Sequence, residues 1–228
     1  MVGDSVGDNI GWGLRVWAKS RNDVTAYNLA IPACPISLGG DRRLDPDHPF
    51  PIDPACAWWN NPASKRYQAF QAFDPDVVVV QDSVNEDFDR RFPSWDDWRG
   101  PANVNYQVWL IQQYQAAIDK WRAGGAKVLM TNGLCGEWSR YEHFKNLQDP
   151  EARVAALNAS VYPRLRGVTV ANLAGRICPG GVFTDVVEGI PDGRPDGFHF
   201  AQAASPLIAQ NFLGPWVLAV GGRAPAPS

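Results

Sequence analysis

The chain has 228 residues, 45% of them hydrophobic and 20% charged, with a formal net charge of −3. That composition is globular rather than disordered, and the length suits one α/β domain. The mild acidity gives no electrostatic footprint for nucleic acid or an anionic membrane surface, and no apolar run reaches the roughly 20 residues of a membrane helix.

The first stretch, MVGDSVGDNI, sets Ser5 at the start of a helix whose apolar residues follow at Ile10, Leu14 and Trp17. Two readings fit Ser5 there: an ordinary N-cap, or a nucleophile on a strand-to-helix turn. Only Met1 and Val2 precede the turn, so the chain is expected to be a piece excised from something longer. The absence of a targeting segment then carries no information on compartment.

Residues 23–31 read as a strand. Residues 32–62 hold seven prolines and two glycines with little periodicity, too long for a plain connector and expected to be functional or cross-linked. A short helix over 65–73 ends at Asp74-Pro75. DVVVV at 76–80 is a continuous apolar run, the signature of a parallel strand buried on both faces. A second irregular stretch, 89–105, leads into a helix over 105–123 that stops at Gly124-Gly125. Residues 126–132 predict the next strand. Asp149-Pro150-Glu151 predicts an N-cap, a proline at N1 and an acidic first turn for a helix ending near Pro163. Residues 167–173 read as a strand and 201–220 as a closing helix despite Pro206. A Gly/Ala/Pro tail over 221–228 follows and is expected to fray, leaving a single domain over 1–220. Alternating helices and strands predict a mainly parallel sheet with helices on both faces, and ligands beyond the carboxyl ends of its strands. Ser5, Ala33-Cys34, residues 81–86 and residues 131–133 all fall at such ends.

Cys34, Cys56, Cys135 and Cys178 lack C-x-x-C spacing, which argues against zinc. Their spacing leaves two disulfides and four buried thiols equally open. Among the three histidines, His48, His143 and His199, the last follows Asp196 by three residues, a separation that can set both side chains on one side of a turn. An imidazole that takes a proton from serine needs such a carboxylate on its other nitrogen. Asn85 stands just past the DVVVV strand, where its amide would either donate to an oxyanion or close an Asx-type turn.

Taken together, GDS at the first strand end, SVNE after an internal strand and DGFH before the last helix resemble the SGNH (GDSL-type) hydrolase family, in that family's order and across nearly the whole chain. The resemblance implies a flavodoxin-like three-layer α/β sandwich, with Ser5 as nucleophile and Asp196 and His199 completing a triad. It implies oxyanion donors from the Ser5 amide, the backbone at Ala33 and the Asn85 side chain. Two positions depart from the pattern: Ser83 and Ala33 stand where the family usually has glycine, and Gly39-Gly40 offer a second place for the backbone donor. No metal or organic cofactor is implied.

The cysteine placement, the tryptophan pair beside Cys56, NEDFDR and ICPGGV are further similar to SGNH domains fused to acyltransferase-3 membrane proteins. That resemblance favours the pairing Cys34–Cys56 and Cys135–Cys178. It implies an extracytoplasmic domain tethered to a membrane domain of the same full-length chain, with an acyl donor and a carbohydrate or glycolipid acceptor as partners. The expected activity is O-acyl transfer, often acetyl, to carbohydrate. A free esterase of the same fold and a non-catalytic sugar-presenting domain are the alternatives. Trp58, Trp59, Trp95 and Trp98, in the two long loops, are expected either to stack on sugar faces or to pack the loops. No G-x-G-x-x-G follows a strand, which sets aside dinucleotide binding.

Overall fold

The apolar run near residue 78 is buried on both sides, and the rest of the fold is built around it. A computed structural model of the chain describes residues 1–44, 48–82, 84–140, 142, 144 and 146–227. Its elements are β1 (Val2–Gly3), α1 (Ser5–Lys19), β2 (Asp41–Arg43), β3 (Pro49–Pro51), α2 (Lys65–Phe73), β4 (Val77–Gln81), β5 (Asp89–Arg91), α3 (Val104–Ala123), β6 (Lys127–Thr131), α4 (Pro150–Ser160), β7 (Val168–Ala171), α5 (Leu173–Ile177), α6 (Ala204–Ile208) and α7 (Gly214–Val220). Strands β1, β4, β6 and β7 form a parallel sheet in the order β1-β4-β6-β7. Side chains alternate across it even though the sequence does not. Val79 and Leu129 enter a core with Ile10, Leu14 and Trp17 of α1. Val78, Val80, Val128 and Met130 enter a second core with Leu110, Tyr114 and Trp121 of α3. This is the expected three-layer α/β sandwich.

Three expectations change. Residues 23–31 are extended but form no strand: Leu29 N–H donates to Met1 O at 2.8 Å and Ile31 N–H to Gly3 O at 2.9 Å, so they flank β1 without closing a ladder. The stretches read as irregular supply a second sheet, antiparallel in the order β3-β2-β5. Two copies of Asp-Arg-Arg pair head to tail in it, with Arg42 opposite Arg90 and each aspartate opposite an arginine, a cross-strand match of opposite charge at both ends. Asp149 precedes α4 with φ 48°, and its side chain makes no capping bond; its left-handed backbone turns the carboxylate away from the helix start.

The closing helix forms as expected but contains a π segment, Ala209–Leu213. Pro206 lies in the first turn, where its missing N–H has no helical acceptor to lose. Pro215 lies inside the helix, and the wider π turn before it accommodates the lost bond. Beyond α7, Arg223 donates from its backbone to Leu218 O at 2.8 Å and pairs with Asp76 at 3.5 Å, so the tail begins tied down. The cysteines pair as Cys34–Cys56 and Cys135–Cys178. Among the described residues, no helix is long and apolar enough to cross a membrane.

Candidate active site

Gly3 ends β1 with φ +145°, and a Cβ there would lie 1.7 Å from Gln81 O, so only glycine makes this close turn into α1. The N-cap of α1 is Asp4 rather than Ser5. Its Oδ1 accepts from the N–H groups of Val6 at 3.0 Å and Gly7 at 3.3 Å, and its Oδ2 from Asn85 Nδ2 at 3.0 Å. Burial raises the Asp4 pKa, and the bonds from Asn85, Gly7 and Val6 oppose that rise. With the capping done by Asp4, the Ser5 hydroxyl is available to His199, whose Nε2 lies 2.7 Å from Ser5 Oγ.

His199 Nδ1 lies 2.5 Å from Asp196 Oδ2, and Asp196 Oδ1 accepts the backbone N–H groups of Phe198 at 3.0 Å and His199 at 2.8 Å. This carboxylate selects the tautomer that protonates Nδ1 and leaves Nε2 to accept the serine proton. Burial pushes the Asp196 pKa up, but the His199 side-chain bond and the two backbone bonds outweigh it and carry the value to about 2. The same bond to Asp196 raises the His199 pKa against the opposing effect of burial. The turn is braced from behind by buried Arg194, which donates from Nε to Phe198 O at 3.3 Å and from Nη2 to the carbonyl of Cys135. Phe200 N–H donates to Asn9 Oδ1 of α1 at 3.1 Å, tying the turn to the helix that carries Ser5.

Ala33 has φ 61°, the left-handed conformation expected of the glycine it replaces. Among the described residues, neither its N–H nor that of Ser5 has a hydrogen-bond partner. Asn85 is buried in a 3₁₀ turn, Val84–Glu86. Its Oδ1 accepts from Arg42 Nη1 at 2.7 Å and its Nδ2 donates one hydrogen to Asp4, which leaves the second hydrogen unused. Ser5, Ala33, Asn85 and His199 all line one pocket of about 580 Å³. Residues from four separated stretches of chain therefore meet at the carboxyl ends of β1 and β4.

The tryptophans are elsewhere. Trp58 and Trp59 are 5% and 4% exposed and pack on Phe70 and Trp121 in the core behind the sheet. Trp98 is sandwiched between the guanidinium groups of Arg43 and Arg91 at 4.5 and 4.7 Å, and Trp95 packs against Phe92 and Trp109. None of the four lines the pocket, so the loop-packing reading holds for them. Its walls are instead Phe50, Phe88, Phe144 and Phe198, with Arg42 among them. Phenylalanines scattered through loops and one arginine in a repeated DRR carry no spacing that would have singled them out. His48, Gly39 and Gly40 do not line the pocket; His143 and Ser83 lie outside the described residues. Among the described residues, no group of three His, Cys, Asp or Glu side chains is placed to hold a metal ion.

A family model described as the SGNH domain fused to AT3 domains matches residues 1–213. Two solved structures are similar in fold. A Bacteroides fragilis protein classed as an acylhydrolase matches with TM-score 0.54 and 12% identity, over 96% of this chain and 86% of that one. A carbohydrate esterase family 3 protein of Talaromyces cellulolyticus matches with TM-score 0.52 and 14% identity, over 97% of each chain. None of the curated proteins compared with the chain matches it. The chain belongs to the family of SGNH domains described as fused to AT3 domains.

Proposed function

We propose that this domain moves an acyl group through Ser5 to a hydroxyl of an extracytoplasmic carbohydrate, as the SGNH part of a membrane acyltransferase. The observation that carries the reading is the continuous line from Asp196 through His199 to Ser5 Oγ, with contacts of 2.5 and 2.7 Å, beside the Ser5 and Ala33 N–H groups, which have no acceptor among the described residues. An esterase or acylhydrolase assignment follows from family membership; the transfer step and its acceptor go further.

Ser5 Oγ attacks the ester carbonyl while its proton passes to His199 Nε2, and the carbonyl electrons move onto oxygen. The Ser5 and Ala33 amides and the second Asn85 hydrogen stabilise that oxyanion, helped by the positive end of α1. Collapse expels the donor's alcohol oxygen, which takes the proton from His199 and leaves an acyl-Ser5 ester. A sugar hydroxyl then gives its proton to His199 as its oxygen attacks, and a second collapse releases acylated sugar and restores Ser5. Water in place of the sugar makes the same cycle a hydrolysis, the reading favoured by the likeness to an acylhydrolase and a carbohydrate esterase. The two disulfides support an oxidising, extracytoplasmic setting.

The test is ester cleavage by the chain beside its Ser5→Ala form, with mass spectrometry for an acyl group on Ser5. Carbohydrates added during turnover should divert acyl groups from water to sugar. Rapid hydrolysis that no carbohydrate ever diverts would favour the free esterase. No cleavage and no acyl-Ser5 would favour a sugar-presenting domain.

A further inference from the structure

One side chain is bonded to two of the three groups assigned to the oxyanion. Arg42, on β2, is 5% exposed and forms part of the pocket wall. Its Nη1 donates to Ala33 O at 2.8 Å and to Asn85 Oδ1 at 2.7 Å. Its Nε is buried without a partner, and among the described residues no carboxylate forms an ion pair with it. Glu86 pairs instead with Arg90, the cross-strand partner of Arg42, at 3.4 Å. Burial first, and then repulsion from Arg90, lowers the Arg42 pKa to about 10, so it remains a cation at neutral pH. A buried cation whose hydrogen bonds go to a backbone carbonyl and a neutral amide is costly for stability alone.

We propose that Arg42 is a positioning residue of the oxyanion hole, aligning the Ala33 and Asn85 donors at once. Alanine disfavours φ near +60°, where glycine rests without strain, and the bond from Arg42 to the Ala33 carbonyl opposes relaxation out of that conformation. An alanine thus holds a glycine-like geometry with a clamp. On the other side, the Asn85 amide has two orientations of nearly equal shape. A guanidinium facing one end and the Asp4 carboxylate facing the other permit only one of them, with Oδ1 toward Arg42. That orientation sends the spare Nδ2 hydrogen toward the pocket, and a cation on Oδ1 strengthens the N–H as a donor.

The inference rests on Ser5 being the nucleophile, so Ser5→Ala is assayed beside the Arg42 variants on the same activated ester. R42K keeps the charge but replaces the planar Nη1 that holds both acceptors with a rotatable ammonium on a stem one atom shorter; R42M removes both the charge and the donors, and melting curves establish which variants are folded at the assay temperature. Folded R42K should lose on the order of 10²-fold in kcat, comparable to removing one donor, with KM within about threefold of the parent. Adding A33G to R42K should recover severalfold, because glycine needs no clamp. Adding N85A to R42K should cost far less than N85A costs alone, since that donor is already misaligned. A purely structural role would lower the melting temperature, leave kcat of the folded protein intact and give no recovery with A33G. If Ser5→Ala is inactive while R42K stays within twofold of the parent, the Arg42 inference alone is overturned. If Ser5→Ala is fully active, the Ser5 mechanism falls and the inference falls with it.

Discussion

The two sides of the pocket are held in opposite ways. On the oxyanion side, buried polar groups fix Ala33 and Asn85: Asp4 and Arg42 bond to Asn85, Arg42 also bonds to the Ala33 carbonyl, and beside them Ser37 links Glu86 to Arg90. On the base side, Asp196 and His199 sit on an irregular segment packed against aromatic rings, with Phe198 stacked edge-on to Trp138 at 4.5 Å and to Phe144 at 5.1 Å. Each side is closed by its own disulfide. The difference matches what each side must do. An oxyanion hole needs donors that do not move, and the hydrogen bonds from Arg42 and to Asp4 hold Ala33 and Asn85 in place. A base must accept and release protons through the cycle, and a half-exposed imidazole against one carboxylate permits that.

The strongest way to break the comparison is to remove the base itself. His199→Ala, like Ser5→Ala, is expected to remove nearly all turnover, at least about 10⁴-fold, because triad members act as a unit; steady-state cleavage of an activated ester measures it. Asn85→Ala should cost about 10²–10³-fold in kcat with a nearly constant KM, and a loss of only a few-fold would return Asn85 to the role of a turn residue.

The disulfides sharpen the contrast. In the chain-entropy picture, replacing Cys34–Cys56 (22 residues apart) with serines costs about 3 kcal/mol, and replacing Cys135–Cys178 (43 apart) about 4 kcal/mol. Chemical denaturation should show that order. The catalytic consequences should divide by side. Cys34 adjoins Ala33, so its loss should lower kcat without moving the pH profile. The second pair reaches His199 through Arg194, so its loss should move the acid limb.

The smallest effect is a shift along the pH axis. His199 must be neutral to accept the serine proton, so kcat/KM falls as pH drops through its pKa, which Asp196 raises. Asp196→Asn should therefore move the acid limb to lower pH while reducing the rate. The linked stability falls in the same direction, at lower pH. Asp196 titrates at about 2 against 3.8 unfolded, so its contribution is present above pH 3.8 and is lost as pH falls through 2. Melting temperatures taken between pH 5 and 2 should show that loss in the parent and not in Asp196→Asn.

The base side was the more legible in the sequence. Asp196 and His199 are three positions apart, so local spacing allowed their contact, and the resemblance then favoured the nucleophile over the N-cap reading of Ser5. The parallel sheet was equally plain, because β4 and β6 are buried on both faces and read as unbroken apolar runs. The oxyanion side was legible only through resemblance for Ala33 and Asn85, and Arg42 was not legible at all. Its partners are 9 and 43 residues away, and it lies in a small sheet whose strands are three residues long, two of them Asp-Arg-Arg and the third Pro-Phe-Pro. Such strands have too little alternation to be seen. Trp58, Trp59 and Trp98 differ for the converse reason: a tryptophan in a long irregular loop looks available, yet the first loop folds back and buries two of them, and Trp98 of the second packs against the guanidinium groups of Arg43 and Arg91.

The contact between His199 and Ser5 joins positions 194 residues apart, and Phe200 meets Asn9 across almost the same span. Nearly the whole domain must be synthesised and docked before the serine acquires its base. A ribosome-bound chain that has exposed only the first four-fifths of this domain carries an inert alcohol at Ser5, unable to attack any ester it meets. On the proposed mechanism the chemistry is thereby timed to the end of folding, and ester cleavage would report that Ser5 and His199 have met.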